Sequence, residues 1–212
     1  MNNEEIAGKD PVHTWRTKSI CRHMLYEGCD LQGHLKSIGT MYKIYLNRRQ
    51  HKNFYNDEFR NRATEIMFEF YDYFSSDIDI WPMFGTLLGM IRDDDLIKHD
   101  EDIDFGYFKK DEHKIVERLD SLHNTNGYKI IRNEFSNLYS VVKEDVFIDL
   151  YEYENLPKSD FLQQGHRSFY NVKKDEMFPM KTITFKEKTF NCINNPIKFF
   201  ERYYGKDWKT PK

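Results

Sequence analysis

Apolar residues recur at three- and four-residue intervals from Ala63 through Ile66, Met67, Phe70 and Tyr71 to Phe74, the stripe of an amphipathic helix. Ser75-Ser76-Asp77 ends it. The period then shortens. IDIWPMF is a brief apolar run of strand character, and its Pro82 predicts an edge position or an early strand end. GTLLGMIR follows at once and reads as a turn into a short helix. In DIDFGYF acids alternate with apolar residues, which predicts a strand. Glu112 to His123 reads as a helix with Ile115, Val116, Leu119 and Leu122 on one side. YKIIR, LYSVVK and VFIDLYEY predict three further strands, whereas Phe161 to Phe178 has no period and reads as loop. TITFKEKTFNCI predicts a hairpin turning around Lys186-Glu187-Lys188. Asn195-Pro196 starts a last helix, Ile197 to Tyr204, closed by Gly205. Ahead of all this, residues 1–59 read as an irregular helical extension, with Met41, Tyr42, Tyr45 and Leu46 at helical spacing. The prediction is one α+β domain over residues 60–212 behind that extension.

Composition sharpens this. A chain of 212 residues suffices for one ordinary domain. Its hydrophobic fraction is only 39%, but 16% of residues are aromatic, and large rings bury enough area to build a core. A net charge of -3 is unlike that of a bulk nucleic-acid binder, so nucleic acid is not expected as a partner. No stretch approaches the ~18 apolar residues of a membrane-spanning helix. The first residues, MNNEEIAGKD, are polar and acidic, unlike a secretory signal. These features predict a cytoplasmic protein, one that could work at the inner face of the membrane. Cys21, Cys29 and Cys192 are odd in number and lack CxxC spacing, which predicts free thiols.

Charge is unevenly spread. Lys36 to Arg62 holds seven basic residues against Asp57 and Glu58, and Pro179 to Lys212 holds eight against three acids. Between them, Asp93 to Asp104 holds seven acids against Lys98. An acidic centre between basic segments suits a metal site serving an anionic substrate, with the basic segments as candidate holders of an anionic or membrane-surface acceptor.

The chemistry concentrates in HDEDIDFG. Residues two apart on a strand share a face, so Asp102 and Asp104 would present two carboxylates side by side while Ile103 enters the core. Such hard oxygen donors suit Mg²⁺ or Mn²⁺. Asp149 lies 45 residues after Asp104, amid Phe147, Ile148 and Leu150. An acid on a probable core strand needs a partner or a metal, and a third carboxylate from a neighbouring strand would complete a divalent-metal site. Before the acids, Gly85 allows close backbone approach and the helix start offers N–H groups to phosphate. Thr86 adds a hydroxyl, and Arg92 a bidentate guanidinium.

Three ordered blocks resemble the LicD/fukutin family of nucleotidyltransferase-fold phosphotransferases. MFGTLLGMIRDDDLIKHDEDIDFG is similar to the family's GTLLG, Arg and acidic D-D-D-I-D run, with 17 residues from Gly85 to Asp102. FIDLYEY matches the later hydrophobic-Asp block, and FPMKTITFKEKTFNCINNPIKFFERYYGKDWKTP is similar to the family's ending. Together they run from about Arg60 to Pro211. Two positions depart from the pattern: Lys98-His99 stands where the family often has Pro-Trp, and Glu101 replaces an Asp.

The resemblance implies a nucleotidyltransferase-like mixed sheet flanked by helices. It implies transfer of a phospho-alcohol (phosphocholine-, ribitol-phosphate- or glycerol-phosphate-like) from a CDP-activated donor to a hydroxyl of a surface glycan, such as lipopolysaccharide, capsule or a teichoic-acid-like polymer. Carried over, Asp102, Asp104 and Asp149 bind the metal, and Gly85 and Thr86 hold donor phosphates. Charge argues for the rest. Two metals ~4 Å apart could stabilise the attacking and leaving oxygens, and Arg92 and Lys98 are placed to meet developing phosphate charge. Two alternatives stay open: a nucleotidyltransferase moving NMP from an NTP to a small molecule or protein, and a non-catalytic module that binds a glycan or a partner.

Overall fold

A computed structural model describes residues 53–125, 128–133, 138–164 and 170–211. Most of the expected N-terminal extension, with Cys21 and Cys29, lies outside the described residues, as does His166.

The described chain opens with α1 (Asp57–Ser75), two residues after a 3₁₀ turn at Asn53–Tyr55. The Asn56 side chain caps α1 by accepting from the Phe59 N–H at 2.9 Å, and Asp57 and Glu58 oppose the helix dipole. Then follow β1 (Ile80–Pro82), α2 (Phe84–Arg92), β2 (Asp102–Phe108), α3 (Glu112–Thr125), β3 (Lys129–Asn133), β4 (Leu138–Lys143) and β5 (Val146–Asn155). Short elements β6 (Phe161–Gln163), β7 (Val172–Lys173) and α4 (Lys174–Met177) lead to the hairpin β8 (Lys181–Phe185) and β9 (Lys188–Cys192), and α5 (Pro196–Tyr203) comes last.

The main sheet is mixed, in the order β1-β2-β5-β4-β3, with β6 and β7 continuing from the end of β5. Among the described strands only β2 and β5 are parallel neighbours; β1 runs antiparallel to β2, and β3, β4 and β5 form an antiparallel meander. As Pro82 predicted, β1 is an edge strand. This is the expected α+β architecture.

Period two on the central strands separates two cores. Ile103, Phe105 and Tyr107 of β2, with Ile148 and Leu150 of β5, pack beneath α1 and α3. Phe70 of α1 stacks on Phe105 at 5.9 Å. Burying each such ring or aliphatic group contributes roughly 1.5–3 kcal/mol. On the other face Trp81, Phe108, Tyr151 and Tyr153 pack with Phe84 and Leu87 of α2 and with Phe199 and Phe200 of α5. A Cβ on Gly106 would sit 2.6 Å from the Trp81 ring, which is why that strand position has no side chain.

Two expectations need correction. Val116 is exposed, because the α3 stripe is Ile115, Leu119 and Leu122, and Val116 lies about 100° around the helix from Ile115. The stretch Phe161 to Phe178 is not simply loop but carries β6, β7 and α4, each too short to show a period. Its anchor is Glu176, fully buried, which accepts two hydrogen bonds from Arg202 of α5 at 2.8 and 2.7 Å.

Several residues of the basic segments are tied to acids of the same chain. Arg60 pairs with Asp57 and Asp95, Arg62 with Glu144, Lys186 with Asp95, Lys188 with Asp72 and Lys198 with Asp175. No described helix is long and apolar enough to cross a membrane.

Candidate metal centre

Strand parity puts Asp102 and Asp104 on one face of β2, opposite Ile103. The parallel register then sets Asp104 directly beside Asp149 of β5, and Asp102 beside Phe147. The three side chains each bring an oxygen to within 4.8 Å of the others. All three residues are buried, Asp149 to 2% exposure. The backbone around Asp104 is held from both sides: Thr86 Oγ1 accepts its N–H at 2.8 Å, and its carbonyl accepts the Met83 N–H at 2.9 Å. Ser140 of β4, directly across from Asp149, donates its hydroxyl to Asp149 Oδ1 at 2.6 Å.

Three carboxylates this close and this buried repel one another and lose hydration, and a cation among them offsets both costs. Hard, anionic oxygen donors from two neighbouring strands, with Asp102 and Asp104 lining an open cleft, fit Mg²⁺ or Mn²⁺, which keep places for water and phosphate.

The cleft above the acids has a volume of about 360 Å³. Gly85, in the first turn of α2, forms part of its lining, and a Cβ there would lie 1.9 Å from Asp100 Oδ2. The bare backbone thus faces the acidic loop. The preceding Phe84 has φ 43°, a left-handed conformation that costs a bulky residue of order 1–3 kcal/mol.

The other expected site residues divide. Arg92 lines the cleft, but its guanidinium forks onto Asp93 at 2.8 and 2.7 Å. Thr86, expected to face phosphate, is turned inward, 1% exposed and holding the Asp104 peptide. Lys98, expected at the phosphate, is exposed and off the cleft lining, because the turn closed by the Asp100 N–H on the Ile97 carbonyl (2.9 Å) directs it outward. Its neighbours His99 and Asp100 line the cleft instead.

Sequence reasoning missed the aromatic wall. Tyr151, Tyr170, Tyr203, Tyr204 and Trp208 line the side of the cleft. Burial raises the hydroxyl pKa of Tyr203 and Tyr204, and nearby tyrosines and Asp104 raise it further, so both stay neutral. The signal for Tyr151 was available, since it shares Asp149's parity on β5. For Tyr203, Tyr204 and Trp208 it was not, because only the packing of α5 brings them here.

The family model described as LicD/FKTN/FKRP, nucleotidyltransferase domain, matches residues 77–195, more than half of the chain. The chain belongs to the LicD/FKTN/FKRP family. The matched span of this LicD-family protein runs from just before β1 to the cap of α5, so it takes in all three acids, Gly85 and Arg92, while Tyr203, Tyr204 and Trp208 lie beyond it. No curated protein matches the chain. Among solved structures it is similar to ANT(2")-Ia, crystallised in complex with adenylyl-2"-tobramycin, at 12% identity and a TM-score of 0.45, over 71% of this chain and 79% of that one.

Proposed function

We propose that this LicD-family protein is a divalent-metal-dependent transferase, with residues 60–212 as its catalytic domain. It moves a phospho-alcohol from a CDP-activated donor to a hydroxyl of a surface glycan. The observation that carries the reading is the convergence of Asp102, Asp104 and Asp149 within 4.8 Å, with Asp102 and Asp104 lining one cleft, in a family described as carrying a nucleotidyltransferase domain.

Asp102, Asp104 and Asp149 hold Mg²⁺ or Mn²⁺. When bound, the cation supplies Lewis-acid polarisation of the donor pyrophosphate and neutralises its charge. The Gly85 backbone and Arg92 bind donor phosphate oxygens, with Arg92 exchanging Asp93 for phosphate. The neutral tyrosine wall excludes water from the donor and orients it. The acceptor oxygen attacks the phosphorus that bears the alcohol. A new P–O bond forms as the pyrophosphate P–O bond breaks, and CMP leaves. The proton of the acceptor hydroxyl passes to solvent as the new P–O bond forms.

The test is product identity. Purified protein with Mn²⁺, a candidate glycan and CDP-choline, CDP-ribitol or CDP-glycerol should release CMP while the glycan gains one phospho-alcohol by mass. The family description favours one second reading, transfer of NMP from an NTP. Pyrophosphate release from NTPs, with every CDP-alcohol inert, would establish that reading instead.

A further inference from the structure

We infer that Ser140 is a positioning residue for the metal centre, fixing the orientation of the Asp149 carboxylate through its hydroxyl. The inference rests on the proposal that the three acids hold a divalent cation, and on nothing about the donor.

The geometry is a row across three strands. Ser140 of β4 pairs with Asp149 of β5, which pairs with Asp104 of β2, so all three side chains leave the same face. Strand register fixes where the Asp149 Cα lies but not how its carboxylate plane is turned, because the terminal torsion of Asp is broad and two-fold. The Ser140 hydroxyl removes that freedom. At 2.6 Å its bond to Oδ1 is in the short range of an O–H donor on a carboxylate. With Oδ1 engaged, Oδ2 is the oxygen left for a cation shared with Asp104 and Asp102.

The surroundings separate this role from an ordinary strand contact. Ser140 lies between Tyr139 and Val141, both buried in the core under α1 and α3. Its own face carries Leu138 and Val142, paired with Tyr151 and Phe147. A hydroxyl is thus the exception on this face of β4, and it stands across from an acid of the triad. Partners that orient metal ligands typically govern 10–100-fold of metal affinity.

Calorimetric titration with Mn²⁺ on the wild type, Ser140→Ala and Ser140→Thr tests this, with thermal unfolding of each metal-free protein alongside. Ser140→Ala should bind Mn²⁺ roughly 10–100-fold more weakly, with an unfolding temperature within a few degrees of wild type. Ser140→Thr keeps the hydroxyl and suits a strand, so it should restore affinity to within about threefold. Should the alanine variant not fold, Ser140→Cys, similar in size but a weak donor, should show the same loss. Wild-type Mn²⁺ affinity in Ser140→Ala or Ser140→Cys would overturn the inference, as would an equal loss in Ser140→Thr. A wild type that binds no Mn²⁺ would overturn both the metal centre and this inference. The predicted Mn²⁺ pattern in a protein inert towards every CDP-alcohol would support the role of Ser140 and sink only the donor reading.

Discussion

Ile103, Phe105 and Tyr107 leave one face of β2, and Asp102 and Asp104 leave the other. On β5 the same division sets Ile148 and Leu150 against Asp149 and Tyr151. The first face is closed beneath α1 and α3, with Ile103, Phe105, Tyr107, Ile148 and Leu150 all fully buried. Its contribution is apolar burial, which needs no particular partner. The second face gathers three carboxylates within 4.8 Å, an arrangement that opposes folding of the metal-free chain. Thr86, Met83 and Ser140 hold it in place from neighbouring elements. Two adjacent residues of one strand therefore differ in kind: one stabilises the fold, and the next adds a charge to a crowded acidic cluster.

The largest effect should come from the acidic face. Asp104→Asn removes one of the three proposed metal ligands while keeping the side chain's shape. Transfer should fall by about four orders of magnitude, on the order of 5 kcal/mol of transition-state stabilisation. The metal-free variant should be at least as stable as wild type, because one of three repelling charges is gone. Turnover assays and urea unfolding of the same preparation check both halves. Near-normal turnover, or a large loss of stability, would break the contrast between the faces.

One residue along, Phe105→Ala should do the reverse. Deleting a fully buried ring that stacks on Phe70 should cost about 3–5 kcal/mol of stability. Turnover per folded molecule should stay within a few-fold, and Mn²⁺ affinity should hold. Metal affinity falling in step with stability would mean that the two faces are not separable.

Thr86 joins the two. Thr86→Val keeps the shape but leaves the buried N–H of Asp104 without its acceptor, at a cost of about 1–3 kcal/mol. Turnover should drop with it, since the displaced peptide carries a metal ligand. Thr86→Ser should recover both. If Thr86→Val instead weakened donor binding alone, with stability unchanged, the hydroxyl would belong to the phosphate site after all.

How much of this was legible follows from which interactions are local. The α1 stripe, the strand parity of Asp102 and Asp104 and the apolar flanks of Asp149 are period-2 and period-3.6 signals, and the structure keeps them. The approach of Asp104 to Asp149 needed the parallel register of β2 and β5, which α3, β3 and β4 together set. Ser140 gave only a faint signal, one small hydroxyl among the inner residues of LYSVVK. Thr86 and Lys98 show the limit. Their types suit phosphate, but a hydrogen bond to Asp104 turns one inward and the Ile97–Asp100 turn sends the other out. The aromatic wall depends on α5 docking from the far end of the chain, and no local pattern encodes that.

The smallest predicted effect contrasts the triad with an acid that folding does favour. Asp95 accepts from Arg60 Nε at 2.7 Å, from Lys186 Nζ at 3.2 Å and from the Leu96 N–H at 2.9 Å. It thereby ties α1 to the acidic loop and to the β8–β9 turn. Partial burial pushes its pKa up, but the hydrogen bonds from Arg60 and Lys186 outweigh this and hold it below the ordinary value. The folded pKa is therefore the lower one. The linked stability is fully present above the unfolded value, about 3.9, and is lost as pH falls through the folded pKa. Asp95 is about a third exposed and screened by solvent, so Asp95→Asn should cost only about 1 kcal/mol at pH 7. The gap from wild type should begin to narrow as pH falls below about 4 and close once pH passes the lowered folded pKa, where the wild-type carboxylate is protonated too. Urea unfolding of both proteins at pH 7 and pH 3 measures it. A gap that persists unchanged at pH 3 would show that Asp95 acts through shape and hydrogen bonding rather than charge. A gap that closes would mark Asp95 as an acid whose charge the fold uses for stability, set against three that are proposed to hold a cation.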